Sequence, residues 1–216
     1  MLARLLLDHR RKVAALRRAV LDCSRACGTC PQLQSDLPGL GCRMSVIDLH
    51  NLWTTFWRDC VMISAYAEPT TSSGSVVPRV PGLTTENDVI RQLRQLGAAG
   101  SLTYPSGNEA SRYEPKWSDP RDVSAVIGAL SVGNSNQLLA GVGFATPSPD
   151  HVRRLRNYFS HRGTTSLNKL EPLRARHPRL RSLSPEQMPT IVVERGLTLF
   201  ELWARELDFM AGVAVR

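Results

Sequence analysis

Two tryptophans and a phenylalanine, Trp53, Phe56 and Trp57, fall within five residues of one helical period. Over 44–67, Val46, Leu49, Trp53, Phe56, Trp57, Cys60 and Ile63 form a broad apolar face. A helix with that much aromatic surface has to be covered by other elements, so the chain must supply partners for it. A first partner is at hand in residues 2–27. There Leu2, Leu6, His9, Val13, Leu16, Val20, Cys23 and Cys27 alternate in steps of four and three. This is a single narrow stripe, suited to a bundle or a dimer seam. Gly28 and Pro31 close it, and 31–43 reads as loop.

The rest of the chain repeats the pattern. Pro69, Pro78 and Pro81 stop the second helix in a Ser/Thr/Gly-rich loop over 68–83. Thr85 and Asp88 have capping-box spacing before Val89, Leu93 and Leu96, and Gly97 marks an end. A loop over 98–117 follows, long for a compact domain. It reads either as a substrate-side or partner-side insertion or as a disordered excursion. Asp119-Pro120 opens a helix with Val123, Val126, Ile127 and Leu130 inside, broken at Gly133-Asn134, with a short turn expected over 137–140. Ser148-Pro149 reads as a cap with proline at the first helical position, ahead of Val152, Leu155 and Phe159. Ser184 and Gln187 suggest another capping box, starting a helix kinked at Pro189 and carrying Ile191, Phe200, Trp203, Leu207 and Met210. With no hairpin signal and no internal repeat, the expected fold is all-α, a bundle of about six helices in one domain over 1–216, with 68–83 and 98–117 as insertions.

No run of 18 apolar residues exists, so no membrane span is expected. Leu5-Leu6-Leu7 precedes the charges of Asp8, Arg10, Arg11 and Lys12, the reverse of a signal peptide, and the expected compartment is the cytoplasm. Charge is unevenly spread. Between 151 and 181 lie nine Lys or Arg and one acid, Glu171, a surplus equal to the +8 of the whole chain. A basic segment inside a folded region favours nucleic acid as partner class, although a solvated basic face would look the same.

Within that segment, Arg156-Asn157-Tyr158-Phe159-Ser160-His161 sets an arginine five positions before a histidine. Histidine moves protons near neutral pH, and arginine grips a phosphodiester through two parallel hydrogen bonds. The stretch Leu155-Arg156-Asn157-Tyr158-Phe159-Ser160-His161-Arg162 resembles the motif ending the third core helix of the HEPN superfamily. Its His161-Arg162 ending is similar to that of the small RiboL-PSP-type HEPN proteins near toxin and phage-defence genes. Asp48-Leu49-His50-Asn51-Leu52-Trp53 resembles an early helix of that group. The resemblance implies a metal-independent endoribonuclease that needs no cofactor. It also implies a homodimer in which two Arg–His pairs meet in a basic cleft, and a restraining antitoxin or defence-complex partner.

The roles that follow are these. His161 would be general base or acid at the 2′-oxygen or the leaving 5′-oxygen. Arg156 would stabilise the phosphorane, and Asn157 would orient His161 or the phosphate. Arg153, Arg154, Arg162 and Lys169 would bind the RNA backbone. Residues five apart on a continuous helix point about 140° away from each other. Either the helix ends near Ser160, with Gly163 supporting a stop, so that His161 folds back, or two protomers contribute.

Other candidates are weaker. Cys23, Cys27, Cys30 and Cys42 include one Cys-x-x-Cys, but no second pair follows, and buried thiols are ordinary core residues. His50 and Asp48 do not share a helix face, and His50 reads as a partly buried polar core residue ahead of one bordering the cleft. His9, His151 and His177 have no evident partner, and Gly141-Val142-Gly143 lacks a phosphate-loop context. Against the nuclease stands a non-catalytic RNA- or protein-binding helical module acting as an adaptor. A DNA-binding regulator is a third, weaker reading, since no helix-turn-helix is legible.

Overall fold

The computed structural model describes residues 1–29 and 37–216, with side chains described at 1–22 and 40–216. The chain is mostly helical, as expected. In order it runs α1 (Leu2–Thr29), α2 (Leu37–Tyr66), α3 (Glu86–Ala98), α4 (Pro120–Leu130), α5 (Ser135–Val142), α6 (Ser148–His161), α7 (Thr164–Asn168), α8 (Glu171–Arg176), a hairpin of β1 (Val192–Glu194) and β2 (Leu197–Thr198), and α9 (Leu199–Ala214). It forms two compact units. The first comprises 1–9, 53–145 and 208–216, and the second 10–52 and 146–207. The helices α1, α2 and α9 therefore each contribute residues to both.

The first unit is built on the aromatic segment of α2. Trp53 meets Trp57 edge-on at 5.4 Å between ring centroids, Phe56 meets Trp57 at 5.7 Å, and His9 of α1 tilts against Phe56 at 4.9 Å. Burial extends to Val61, Met62, Ser64 and Ala65, so this half of α2 is covered almost all round rather than on one face. The capping box of Thr85 and Asp88 forms as expected, and Asp119 caps α4, with Ser131 left-handed at its end (φ 49°).

The 98–117 segment is no excursion. Leu102, Tyr104, Ala110 and Trp117 are buried. Gly97 of α3 lets the backbone of Ala110 and Ser111 approach so closely that a Cβ would fall 2.4 Å from it. Asp122, fully buried on α4, accepts from the Ser106 N–H (2.9 Å), the Ser106 hydroxyl (2.6 Å) and the Lys116 N–H (3.1 Å). One carboxylate thus satisfies backbone donors that an irregular loop would otherwise bury unpaired.

The second unit buries Val13 and Val20 of α1, Val46 and Leu49 of α2, Val152 and Leu155 of α6, and Phe200, Trp203 and Leu207 of α9. Two expectations fail here, a helix over 184–198 and a chain without a hairpin. Pro189 lacks an N–H and lies in a 3-10 turn (Met188–Thr190), and the chain then reverses in the β1–β2 hairpin. Arg195 (φ 46°) and Gly196 (φ 77°) are both left-handed, the conformation a two-residue hairpin connection requires. Ser184 keeps half of its box, since its N–H donates to Gln187 Oε1 at 3.2 Å. The real start of α9 is Thr198. Its hydroxyl accepts from the Glu201 N–H (3.2 Å), while the Glu201 carboxylate accepts from the Thr198 N–H (3.0 Å) and hydroxyl (3.1 Å). The short helices α7 and α8 are additions to the expected set, too brief to show a period in sequence.

Candidate nucleic-acid interface

The motif lies on α6, which buries His151, Val152, Leu155 and Phe159. Ser148 does not cap this helix. Its hydroxyl donates to Glu206 at 2.5 Å, and its N–H donates to the Thr146 hydroxyl oxygen at 3.2 Å. At about 100° per residue, Arg154, Asn157 and His161 fall on one stripe, while Arg156 lies on another flank. The helix is continuous through His161 and stops at Arg162 (φ 43°, ψ 26°), whose N–H donates to the Tyr158 carbonyl at 2.7 Å. Arg162, not Gly163, takes the left-handed position, and Gly163 is extended ahead of α7. His161 is exposed at the helix end and does not fold back towards Arg156.

Four predicted residues, Arg153, Arg154, Asn157 and Lys169, come together and with Ser166 line a cleft of about 220 Å³. Asp150, one turn before the arginines, accepts from both Arg153 and Arg154. Burial opposes ionisation of Asp150, but the hydrogen bonds from Arg154 and Arg153 hold its carboxyl below the usual range. Arg154 also donates from Nη1 to the Lys169 carbonyl oxygen at 2.9 Å. His161 and Arg162 are exposed and are not among the residues lining this cleft.

Arg156 is half-buried, and its Nη1 donates to Asn157 Oδ1 at 3.2 Å. Its Nε is shielded from solvent and has no hydrogen-bond partner among the described residues. Its charge acts on His50 of α2. Burial, then Arg156 and Arg153, push His50 down to about 4, against an opposing hydrogen bond with Asn51. His50 is therefore neutral at pH 7. The structure gives Arg156 a histidine neighbour, and within the chain that histidine is His50.

Buried His151 of α6 also has a histidine neighbour, the half-buried His177. The rings of His151 and His177 are 6.2 Å apart at 74°. Burial, then the His177 charge, lowers His151 to about 4, and burial lowers His177 as well. Sequence reasoning missed Asp150 and Ser166. Asp150 was legible, because an acid three and four positions before two arginines is an ion-pair spacing. Ser166 carried no signal of its own. Among the described residues no group of three or more His, Cys, Asp or Glu could hold a metal ion. The side chains of Cys23, Cys27 and Cys30 lie outside the described residues, and Cys42 is buried. None of the described helices is long and apolar enough to cross a membrane. No protein-family model, curated protein or solved structure matches the chain.

Proposed function

We propose that the chain is a metal-independent endoribonuclease of HEPN type, an RNA-binding homodimer acting as a toxin or phage-defence effector in the cytoplasm under the restraint of a partner protein. The observation that carries this reading is the α6 stripe. Exposed His161 stands one turn beyond Asn157 and two beyond Arg154, in line with side chains that line a cation-rich cleft. In the reaction the RNA 2′-oxygen attacks its adjacent phosphorus, the bond to the 5′-oxygen breaks, and the 2′-proton passes to a base while the leaving oxygen gains one. His161 serves as that base or acid. Arg156 stabilises charge on the phosphorane. Asn157, whose Oδ1 is held by Arg156, orients His161 or the phosphate. The unbroken α6 from Arg156 to His161 supports a pair drawn from two protomers to act on one phosphate.

The same separation is what favours the second reading, a non-catalytic RNA- or protein-binding adaptor. The two are separated by incubating end-labelled RNA in EDTA with wild type and His161→Ala and mapping the product ends. The nuclease reading expects cleavage by wild type alone, leaving 2′,3′-cyclic phosphates, with DNA resistant because it lacks the 2′-hydroxyl. Equal cleavage by both proteins, or RNA binding without cleavage by either, transfers the chain to the adaptor class.

A further inference from the structure

Arg154 is held more firmly than a surface arginine ordinarily is. Its Nε donates to Asp150, its Nη1 donates to the Lys169 carbonyl at 2.9 Å, and its side chain is 28% exposed. An arginine pinned at two points has already lost its rotamer freedom and keeps further N–H donors for a ligand. Asn157 is set in a related way. Arg156 Nη1 occupies its Oδ1, which fixes the amide orientation and leaves the NH2 group as the donor the cleft can use. Ser166 adds a hydroxyl and Lys169 an ammonium. The lining therefore offers donors and positive charge. It contains no aromatic ring to stack a base and no carboxylate to read a base edge.

We propose that this cleft is a preorganised phosphodiester site, which holds the backbone of a single strand without regard to base or sugar and fixes the register of that strand on α6. The inference rests on the nucleic-acid reading above, but it does not need cleavage. Asp150 is its positioning residue, acting through Arg154 and Arg153. A merely basic patch and a built site differ in one respect. Removing the Asp150 charge makes the region more positive, so a patch would bind more tightly, whereas a built site loses the brace on its arginines and binds more weakly.

The test measures fluorescence anisotropy of a labelled single-stranded oligo-dT against salt, with wild type, Lys169→Ala, Ser166→Ala, Asp150→Asn and Arg181→Ala, the last removing an exposed cation outside the cleft. DNA is used because a ribonuclease leaves it intact, so binding is read apart from chemistry. Lys169→Ala should weaken binding about tenfold and flatten the slope of log affinity against log salt by about 0.7. Ser166→Ala should weaken it about threefold, Asp150→Asn should weaken it despite the added charge, and Arg181→Ala should change it less than twofold. Equal losses across all variants, tighter binding by Asp150→Asn, or capture by phosphatidylserine vesicles with no oligo-dT bound would overturn the site. A cleft that passes while His161→Ala still cleaves RNA would leave this site standing and remove the nuclease reading. The reverse pattern would do the opposite.

Discussion

In the first unit one arginine is held by two carboxylates, and in the second one carboxylate holds two arginines. Arg58 donates from Nη2 to Glu86 at 2.5 Å and from Nε to Glu114 at 3.1 Å, and Trp117 Nε1 also donates to Glu114 at 3.0 Å. The hydrogen bond to Glu86 is the main reason the Arg58 charge is held more firmly than usual. Burial opposes ionisation of Glu114, yet the bonds from Arg58 and Trp117 keep its carboxyl below the ordinary range. That cluster ties α2, α3 and the 98–117 segment together and spends its hydrogen bonds internally. Around Asp150 the ratio is inverted. Arg153 and Arg154 share one acid, Lys169 adds another charge, and positive charge is left over beside open space. The same ingredients make a structural clamp where acids are in excess and, on the proposal above, a ligand site where cations are.

The comparison can be broken by acid first. His50 and His151 both sit near 4 in the folded second unit, against about 6.5 in an unfolded chain. Between those values the unfolded chain binds more protons. The stability these groups contribute is therefore full above about pH 6.5 and is lost as pH falls through about 4. For His151, 4% exposed and facing His177, Asp150, Arg154 and Arg176, the whole loss is on the order of 3 kcal/mol. Urea melts between pH 7 and 5 should show its onset, and His151→Leu should remove about half of that slope, His50 retaining the rest. A profile unchanged by the substitution would mean that His151 is not buried neutral.

A smaller effect sharpens the contrast. Arg58→Met leaves Glu86 and Glu114 facing each other and should cost about 2 kcal/mol in urea melts, below the range for a fully buried pair because the cluster is partly exposed. Asp150→Asn should cost under about 1 kcal/mol. Comparable losses would erase the distinction between clamp and ligand site.

What was legible in the sequence follows from the same physics. The stripes of α1 and α2 and the caps at Thr85 and Asp119 depend on neighbours two to four residues away, and sequence displays these directly. The 184–198 segment misled because Ser184 and Gln187 do form half a box, while the stronger signals were Arg195-Gly196 for a turn and Thr198 with Glu201 for a cap. The ordering of 98–117 was hidden because Asp122 reaches sixteen residues back to Ser106. At the candidate site, sequence picked out Arg153, Arg154, Asn157 and Lys169, which the fold brings together. It missed Asp150 as their brace, and although it set His50 at the border of the site it paired Arg156 with His161, because the nearness of Arg156 to His50 depends on how α2 and α6 pack.

Helix α6 sets Arg156 and His161 on different flanks, and the proposed nuclease would therefore draw on two protomers to act on one phosphate. This is tested by mixing. Arg156→Ala and His161→Ala, each expected to be inactive alone, are unfolded together, refolded as a mixture and assayed on end-labelled RNA in EDTA. Pairing across protomers predicts that mixed dimers, each with one intact pair, recover a measurable fraction of wild-type cleavage with 2′,3′-cyclic phosphate ends. No recovery in a mixture shown to contain mixed dimers, with wild type cleaving alongside, would contradict it.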